Sequence, residues 1–525
     1  MKKSTKVYDQ ELLLICCGQY NENVSTSQPP PRLASIDRSQ LLLHTVDVER
    51  LIDEDHSARS IWQLVARLNL SLYHAKIAAV AGCAGRDHTA PQLLISLWLY
   101  AYSQGSSSAR ELARCCRYEP GLQWLCGLKP ISHRTLSGFR SEYKEALDDL
   151  FVQVLGMLSA EGLITMQRVT LDGTKIRANA SGNTFRRQEK IEAHLALARE
   201  HVEKMNEQAA EEEKVAKRQA AAKRRAARQR VSRLEAALRE VQRLQEKKKH
   251  ERDTFVARAS STDPEAHVMR NGEGGTVPSY NVQLITDTTH GLVVNVEATT
   301  DAIDYRQLEP ALERCKETLA RLPKQIVADG DYTNHASVQV AAASGVDFYG
   351  SWQDSWKPVE YDAQGRSGAF IGSAFAYDAE HDVYLCPAGQ RLTHHALLNR
   401  DHGVRTHVYK APKAACRCCA LRNQCASKQA PPDWRRSLTR LEEPAATAAF
   451  KIKMETEEAK QIYGQRSQIA EFPHAWIKER CGLRQFRCRG NQKTSMEATW
   501  ACLSYNLIRW FSIRRKIAAA LAQAA

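Results

Sequence analysis

Residues 183–263 contain neither glycine nor proline and are dominated by Ala, Glu, Lys, Arg and Gln. A stretch without the two residues that interrupt regular backbone, and rich in good helix formers, is committed to long helix. One straight helix of that length would reach about 120 Å at 1.5 Å per residue, so a folded-back hairpin is expected. Leu234, Leu238, Val241 and Leu244 fall at coiled-coil spacing and supply its apolar seam. The basic run "KVAKRQAAAKRRAARQR" on the same stretch is either a solvated helix face or a contact to a DNA backbone.

The rest of the chain is arranged around this insertion. Residues 1–35 are polar and end in "SQPPPR", a composition that cannot bury enough apolar surface to order itself. Residues 36–160 carry a helical pattern. "APQLLISLWLYAYSQG" has Pro91 in its first turn, "SSSARELARCC" has a capping box at Ser108 and Glu111, and a third helix opens at "SHRTLSGFR". Short helices, tight turns and the basic start His133, Arg134 and Arg140 fit a helix-turn-helix DNA reader, or equally an ordinary bundle.

Residues 161–182 then supply a first strand, "RVTLDGTKIR". After the hairpin, 264–352 alternate strands ("SYNVQLITD", "GLVVNVEAT", "KQIVADGD", "VDFYG") with helices. Residues 353–445 read as an irregular, Cys-containing insertion. Residues 446–525 close the chain with two helices, about 452–480 and 494–518, the second bearing the core stripe "WACLSYNLIRWF". The fold class is α/β: a mixed sheet interrupted by a helical insertion.

Lys plus Arg number 74 against 60 Asp plus Glu, a formal charge of +14, which suits an anionic partner such as nucleic acid. Fifteen cysteines in so long a chain, scattered singly or in odd clusters, imply a reducing cytoplasmic compartment. The start "MKKSTKVYDQELLLICCG" is a poor export signal because Asp9 and Glu11 interrupt it. No run approaches the roughly 18 apolar residues of a membrane span.

Three carboxylates stand where a sheet and its neighbouring helix can present them to one point: Asp172 and Asp329 at strand ends, and Glu471 on a late helix. Such oxygens suit Mg²⁺ or Mn²⁺, which keep coordination sites for water and phosphate. Lys175 and Arg177 follow Asp172 at once and are candidate DNA contacts. A glycosidase would also use paired carboxylates but has no need of basic surroundings.

At this point the chain resembles a family. "LDGTKIRANAS", "STDPEAHVMR", "YNVQLITD", "VADGDY" and the Y-x2-R-x4-E-x6-K signature in "YGQRSQIAEFPHAWIK" occur in the order found in DDE transposases of bacterial insertion sequences. The resemblance implies a ribonuclease-H-like catalytic core, a helical end-binding domain and Mg²⁺-dependent cutting and joining of double-stranded DNA at terminal inverted repeats. It also implies a homodimer on DNA and a cytoplasmic, nucleoid-associated protein. By motif, Asp172, Asp329 and Glu471 take the metal-binding role, and Tyr463, Arg466 and Lys478 lie beside them against DNA. The runner-up is a non-catalytic DNA-binding descendant of such an enzyme.

Helical spacing puts Glu471 and Lys478 on one face and Arg466 somewhat off it. The second motif departs from the family, with Gly330 and Asp331 in the opposite sense, so Asp331 rivals Asp329. Asp329 is preferred because Asp331 falls naturally in the following turn. His474 and Trp476 receive no role. Cys386, Cys416, Cys419 and Cys425, with Cys418 as a substitute, are either structural Zn²⁺ ligands or unligated thiols.

Overall fold

In a computed structural model, residues 45–77, 87–207, 214–248, 256–272, 274–352, 370, 372–399, 405–427 and 430–524 are described. The expected tail, residues 208–213 of the basic insertion and residues 353–369 of the Cys-containing insertion therefore lie outside the described residues.

Helices α1 (Ser57–Val65), α2 (Ser71–His74), α3 (Pro91–Ser103), α4 (Ala109–Cys115), α5 (Pro120–Cys126), α6 (His133–Glu142) and α7 (Lys144–Ala160) come first. Their starts follow local rules. Pro91 opens α3, Ser108 accepts the Glu111 N–H at α4, Glu119 accepts the Leu122 N–H at α5, and Ser132 accepts the Thr135 N–H at α6. The stretch "PGLQWLC", between the second and third expected helices, is itself a helix, so four helices and not three run from Pro91 to Glu142.

The chain then enters β1 (Arg168–Arg177) and β2 (Phe185–Arg186), and leaves for α8 (Gln188–Glu207) and α9 (Lys214–Lys248). These two pack on each other as the expected hairpin: Ile191, Leu195 and Ala198 of α8 meet Leu234, Ala237 and Val241 of α9, with Leu238 and Leu244 at the margin. Arg199 of α8 also pairs with Glu235 of α9 at 2.7 Å.

After β3 (Ala259–Ser260), the chain forms β4 (His267–Arg270), β5 (Thr276–Asp287), β6 (Leu292–Thr299), α10 (Leu308–Leu319), β7 (Gln325–Ala328), α11 (His335–Ala343) and β8 (Asp347–Tyr349). The sheet runs β6-β5-β1-β7-β8, with β4 beside the start of β5. Strand β1 is its pivot: it pairs antiparallel with β5 from Val169↔Asp287 to Arg177↔Ser279, and parallel with β7 from Arg168↔Gln325 to Leu171↔Ala328. The insertion thus leaves and rejoins a sheet already under construction.

The described residues between 376 and 441 are not irregular. They form β9 (Ala376–Asp378), β10 (Val383–Leu385), β11 (Arg391–Asn399), β12 (Arg405–Lys410) and β13 (Ser437–Leu441), an antiparallel sheet, with α12 (Lys413–Arg417) and α13 (Arg422–Cys425) between the last two strands. The small core beneath it holds Phe375, Leu392, Tyr409 and Ala411. In β11 only Leu392 is buried, so the usual apolar-polar alternation is too faint to see in the sequence.

The expected helix near 452–480 is broken into α14 (Ala445–Glu455), α15 (Glu457–Gly464) and α16 (Arg466–Glu479), with Thr456 capping α15 through the Ala459 N–H. The last helix, α17 (Asn491–Ala524), packs against β6, α3 and α7. Its buried Trp500, Leu503, Tyr505, Leu507 and Trp510 join the helical region and the sheet in one core.

Candidate active site

Register explains why two aspartates meet. The parallel pairing of β1 with β7 ends at Leu171↔Ala328, so Asp172 and Asp329 are the next residue on each of two adjacent strands. Neighbouring strands lie about 4.8 Å apart. Asp172 is not at the end of its strand, as the sequence suggested, because β1 continues along β5 for five more residues. It stands instead where β7 stops covering that edge of β1.

Both carboxylates are oriented alike. Asp172 Oδ1 accepts the Gly173 N–H at 3.0 Å and Asp329 Oδ1 accepts the Gly330 N–H at 2.5 Å. The two Oδ2 atoms are left facing Arg466 of α16, at 4.0 Å from Nη1 and 3.5 Å from Nη2. Burial pushes the Asp172 carboxyl up to about 6. Arg466 and the Gly173 N–H oppose the rise, and the charges of Asp329 and Asp304 add to it. Asp331 is exposed in the turn after Asp329, so Asp329 is the residue brought to Arg466.

Helix α16 lays Arg466, Ala470, Pro473, His474 and Ile477 against the interior, residues that recur at helical spacing. His474 Nε2 is 3.5 Å from Asp172 Oδ2. Burial, then Lys478, holds its pKa down to about 3; the imidazole is neutral and the contact is not an ion pair. Glu471 is exposed, on the solvent side of the same helix, and Lys478 is half-buried. Tyr463 is half-buried, its ring centroid 5.9 Å from the Arg466 guanidinium.

Beneath Asp172 lies a polar cluster that the sequence did not announce. Asp304, almost fully buried, accepts from Lys175 Nζ at 3.1 Å and from Asn281 Nδ2 and Gln283 Nε2 at 2.6 Å each, and Gln283 in turn accepts from the buried Tyr332 hydroxyl. Gly173 makes room for it: a Cβ there would come within 2.5 Å of Gln283 Nε2 and 2.7 Å of Asp304 Oδ1. The glycine after Asp172 is the only trace of this cluster in the sequence.

The expected DNA contacts divide. His133 and Arg134 are exposed at the start of α6, and Arg177 is exposed at the end of β1. Lys175 is turned inward onto Asp304. Arg140 corrects the sequence reading: it is 3% exposed, pairs with Glu497 at 3.5 Å, donates to the Ser107 carbonyl and stacks 4.5 Å over Trp98. Its place on the inner face of α6 makes it a core residue.

Cys386, Cys416, Cys419 and Cys425 line one cavity of about 30 Å³ beside the second sheet. Backbone N–H groups approach two of them, Gln390 to Cys386 at 3.3 Å and Arg436 to Cys416 at 3.4 Å. Among the described residues, however, no group of three or more His, Cys, Asp or Glu side chains is arranged to hold a metal ion. The same holds for Asp172, Asp329 and Glu471, so the geometry by itself assigns a metal neither to the cysteines nor to the three carboxylates.

Two family models match the chain: a transposase DDE domain over residues 385–511 and a transposase domain (DUF772) over residues 46–142. The two matches together indicate a DDE transposase of insertion-sequence type. In this transposase the first match contains Tyr463, Arg466, Glu471 and Lys478, while Asp172 and Asp329 lie between the two matched stretches. No curated protein matches the transposase. Among its described residues no helix is long and apolar enough to cross a membrane.

Proposed function

We propose that this transposase binds the terminal inverted repeats of its element and cuts and joins DNA with a divalent metal, Mg²⁺ or Mn²⁺, held at Asp172 and Asp329, with Glu471 completing the set. One observation carries the reading. Two carboxylates at equivalent positions of adjacent parallel strands turn their free oxygens toward one point, where the positive group present is Arg466. The strand order, three antiparallel strands followed by two parallel ones, supports a ribonuclease-H-like core.

The residues fit a cation. Asp172 is desolvated enough to hold its proton to about pH 6 despite Arg466, so a further positive charge at Oδ2 would be favourable there. When bound, the metal would activate the attacking oxygen and stabilise the leaving one. Asp172 and Asp329 fix the position of that chemistry through their Oδ1 bonds to Gly173 and Gly330. Arg466 is a long cation beside them, suited to a scissile phosphate. Glu471 and Lys478 enter by the signature, and Glu471 faces solvent on α16.

His133 and Arg134 at the start of α6, and the outward arginines of α9, would track the DNA backbone. A homodimer holding two ends, working in the cytoplasm on nucleoid DNA, belongs to the same reading. The test is incubation of the full-length protein with an end-containing duplex and Mg²⁺. Nicking by wild type that is lost in Asp172→Asn and in Asp329→Asn, with end binding retained, is expected. Tight binding without any nicking would return the protein to the class of non-catalytic DNA binders.

A further inference from the structure

His474 is a polar residue in an apolar position. It is 7% exposed, it shares the inward face of α16 with Ala470, Pro473 and Ile477, and a leucine or phenylalanine would satisfy the same packing. Neither ring nitrogen has a hydrogen-bond partner. A buried imidazole left this way is costly unless a nearby group completes it. The near groups both belong to Asp172: its backbone, and its Oδ2, which is 3.5 Å from Nε2 and a few tenths of an ångström beyond a hydrogen bond.

We propose that His474 is a positioning residue of the carboxylate site: its Nε2–H donates to Asp172 Oδ2 and fixes the carboxylate in the orientation that receives the divalent cation. The assignment rests on the metal-dependent reading above. Oδ1 is already held by the Gly173 N–H, so a second donor at Oδ2 would stop the carboxylate from rotating about its χ2 bond. A donor at Oδ2 orients the oxygen and still leaves it a lone pair for the cation. Arg466, eight residues earlier on the same helix face, reaches the same oxygen but brings a full positive charge. The two contacts thus divide the work: the arginine competes with a cation at Oδ2, and the imidazole prepares the oxygen for one. Partners that hydrogen-bond a metal's ligands contribute about 10–100-fold in affinity.

The experiment is Mn²⁺ binding to the full-length, DNA-free protein, followed by loss of the free Mn²⁺ electron paramagnetic resonance signal. His474→Phe, which keeps the volume and removes the donor, should weaken binding about 10–100-fold; His474→Gln, which restores an N–H donor, should recover most of it. Electron spin echo modulation on the bound Mn²⁺ should show no directly coordinated nitrogen. Wild-type affinity in a folded His474→Phe protein overturns the proposal, and so does His474→Gln binding as weakly as His474→Phe. Should His474→Phe fail to fold, His474→Leu against His474→Gln decides on the same criterion. Nitrogen modulation in wild type that vanishes in His474→Gln also overturns it, because the imidazole is then a ligand. Asp172→Asn is the separate control: if it binds Mn²⁺ as wild type does, the carboxylate-site reading fails whatever His474 does.

Discussion

The basic residues around the sheet and those on α9 are the same residue types in two different situations. Arg140 faces Glu497, Lys175 faces Asp304, and Arg466 faces Asp172 and Asp329. Along α9, residues 214–234 contain nine Lys or Arg and no acid, and Lys223, Arg225, Arg228 and Arg230 are exposed. A cation folded against its own carboxylate is part of the protein's interior chemistry. A cation on a stretch of helix that supplies no acid, as residues 214–234 of α9 do not, must find its counter-charge elsewhere, and a groove lined by Arg224, Arg225 and Arg228 lies between α9 and the end of α8. Basic residues in sequence therefore do not map the DNA surface until the acids that fold against them are known.

The comparison breaks first at Arg140. If it is an interior cation, Arg140→Met leaves Glu497 buried without its partner, and a loss of about 3–5 kcal/mol of unfolding free energy is expected. Urea denaturation measures it. Glu497 also accepts the Arg487 and Cys488 N–H groups, so part of that cost could be relieved there. A variant as stable as wild type but weaker on DNA would place Arg140 back among the DNA contacts.

The basic arm formed by the α8–α9 hairpin gives the opposite signature. Replacing Lys223, Arg224, Arg225, Arg228 and Arg230 with Gln keeps good helix formers and removes five charges. Stability should hold, because the hairpin core is Ile191, Leu195, Leu234 and Val241. Affinity for long duplex should fall, with the log–log salt slope reduced by about four to five. Unchanged affinity for long duplex at moderate salt would mean a solvated or self-associating hairpin.

Lys175 sharpens the division at smaller scale. Lys175→Met should cost about 1–3 kcal/mol of stability by leaving Asp304 with amide donors alone, and the salt slope of end binding should not change. A slope lowered by about one would instead make Lys175 a phosphate contact.

What the sequence disclosed and what it hid follow the same line. The hairpin was legible because its composition permits little else, and the Asp172–Asp329 pairing was legible because the strands carry strong apolar runs. Asp304 and the contact of His474 with Asp172 were not, since Asp304 lies in the loop between β6 and α10 and His474 at no position of the signature. The second sheet was hidden for a different reason: with one buried residue in nine, β11 has no alternation to read. The break between α15 and α16 matters most for the site, because it sets the inward face on which Arg466 and His474 fall and from which Glu471 turns away.

Arg466 is the residue for which the two situations compete. In the absence of DNA it is an interior cation held 3.5–4.0 Å from both Oδ2 atoms, the position from which it opposes a divalent ion by like charge. On DNA the signature assigns it to phosphate. Arg466→Ala should therefore act with opposite sign in two assays. Mn²⁺ affinity of the free protein should rise several-fold, measured by calorimetry, because the competing charge is gone. The salt slope of end binding should fall by about one, and nicking should drop with it. If Mn²⁺ affinity falls in the variant, Arg466 supports the carboxylates in place of competing for them. The line between interior and DNA-facing cations would then run between α16 and the arm, and no residue would cross it.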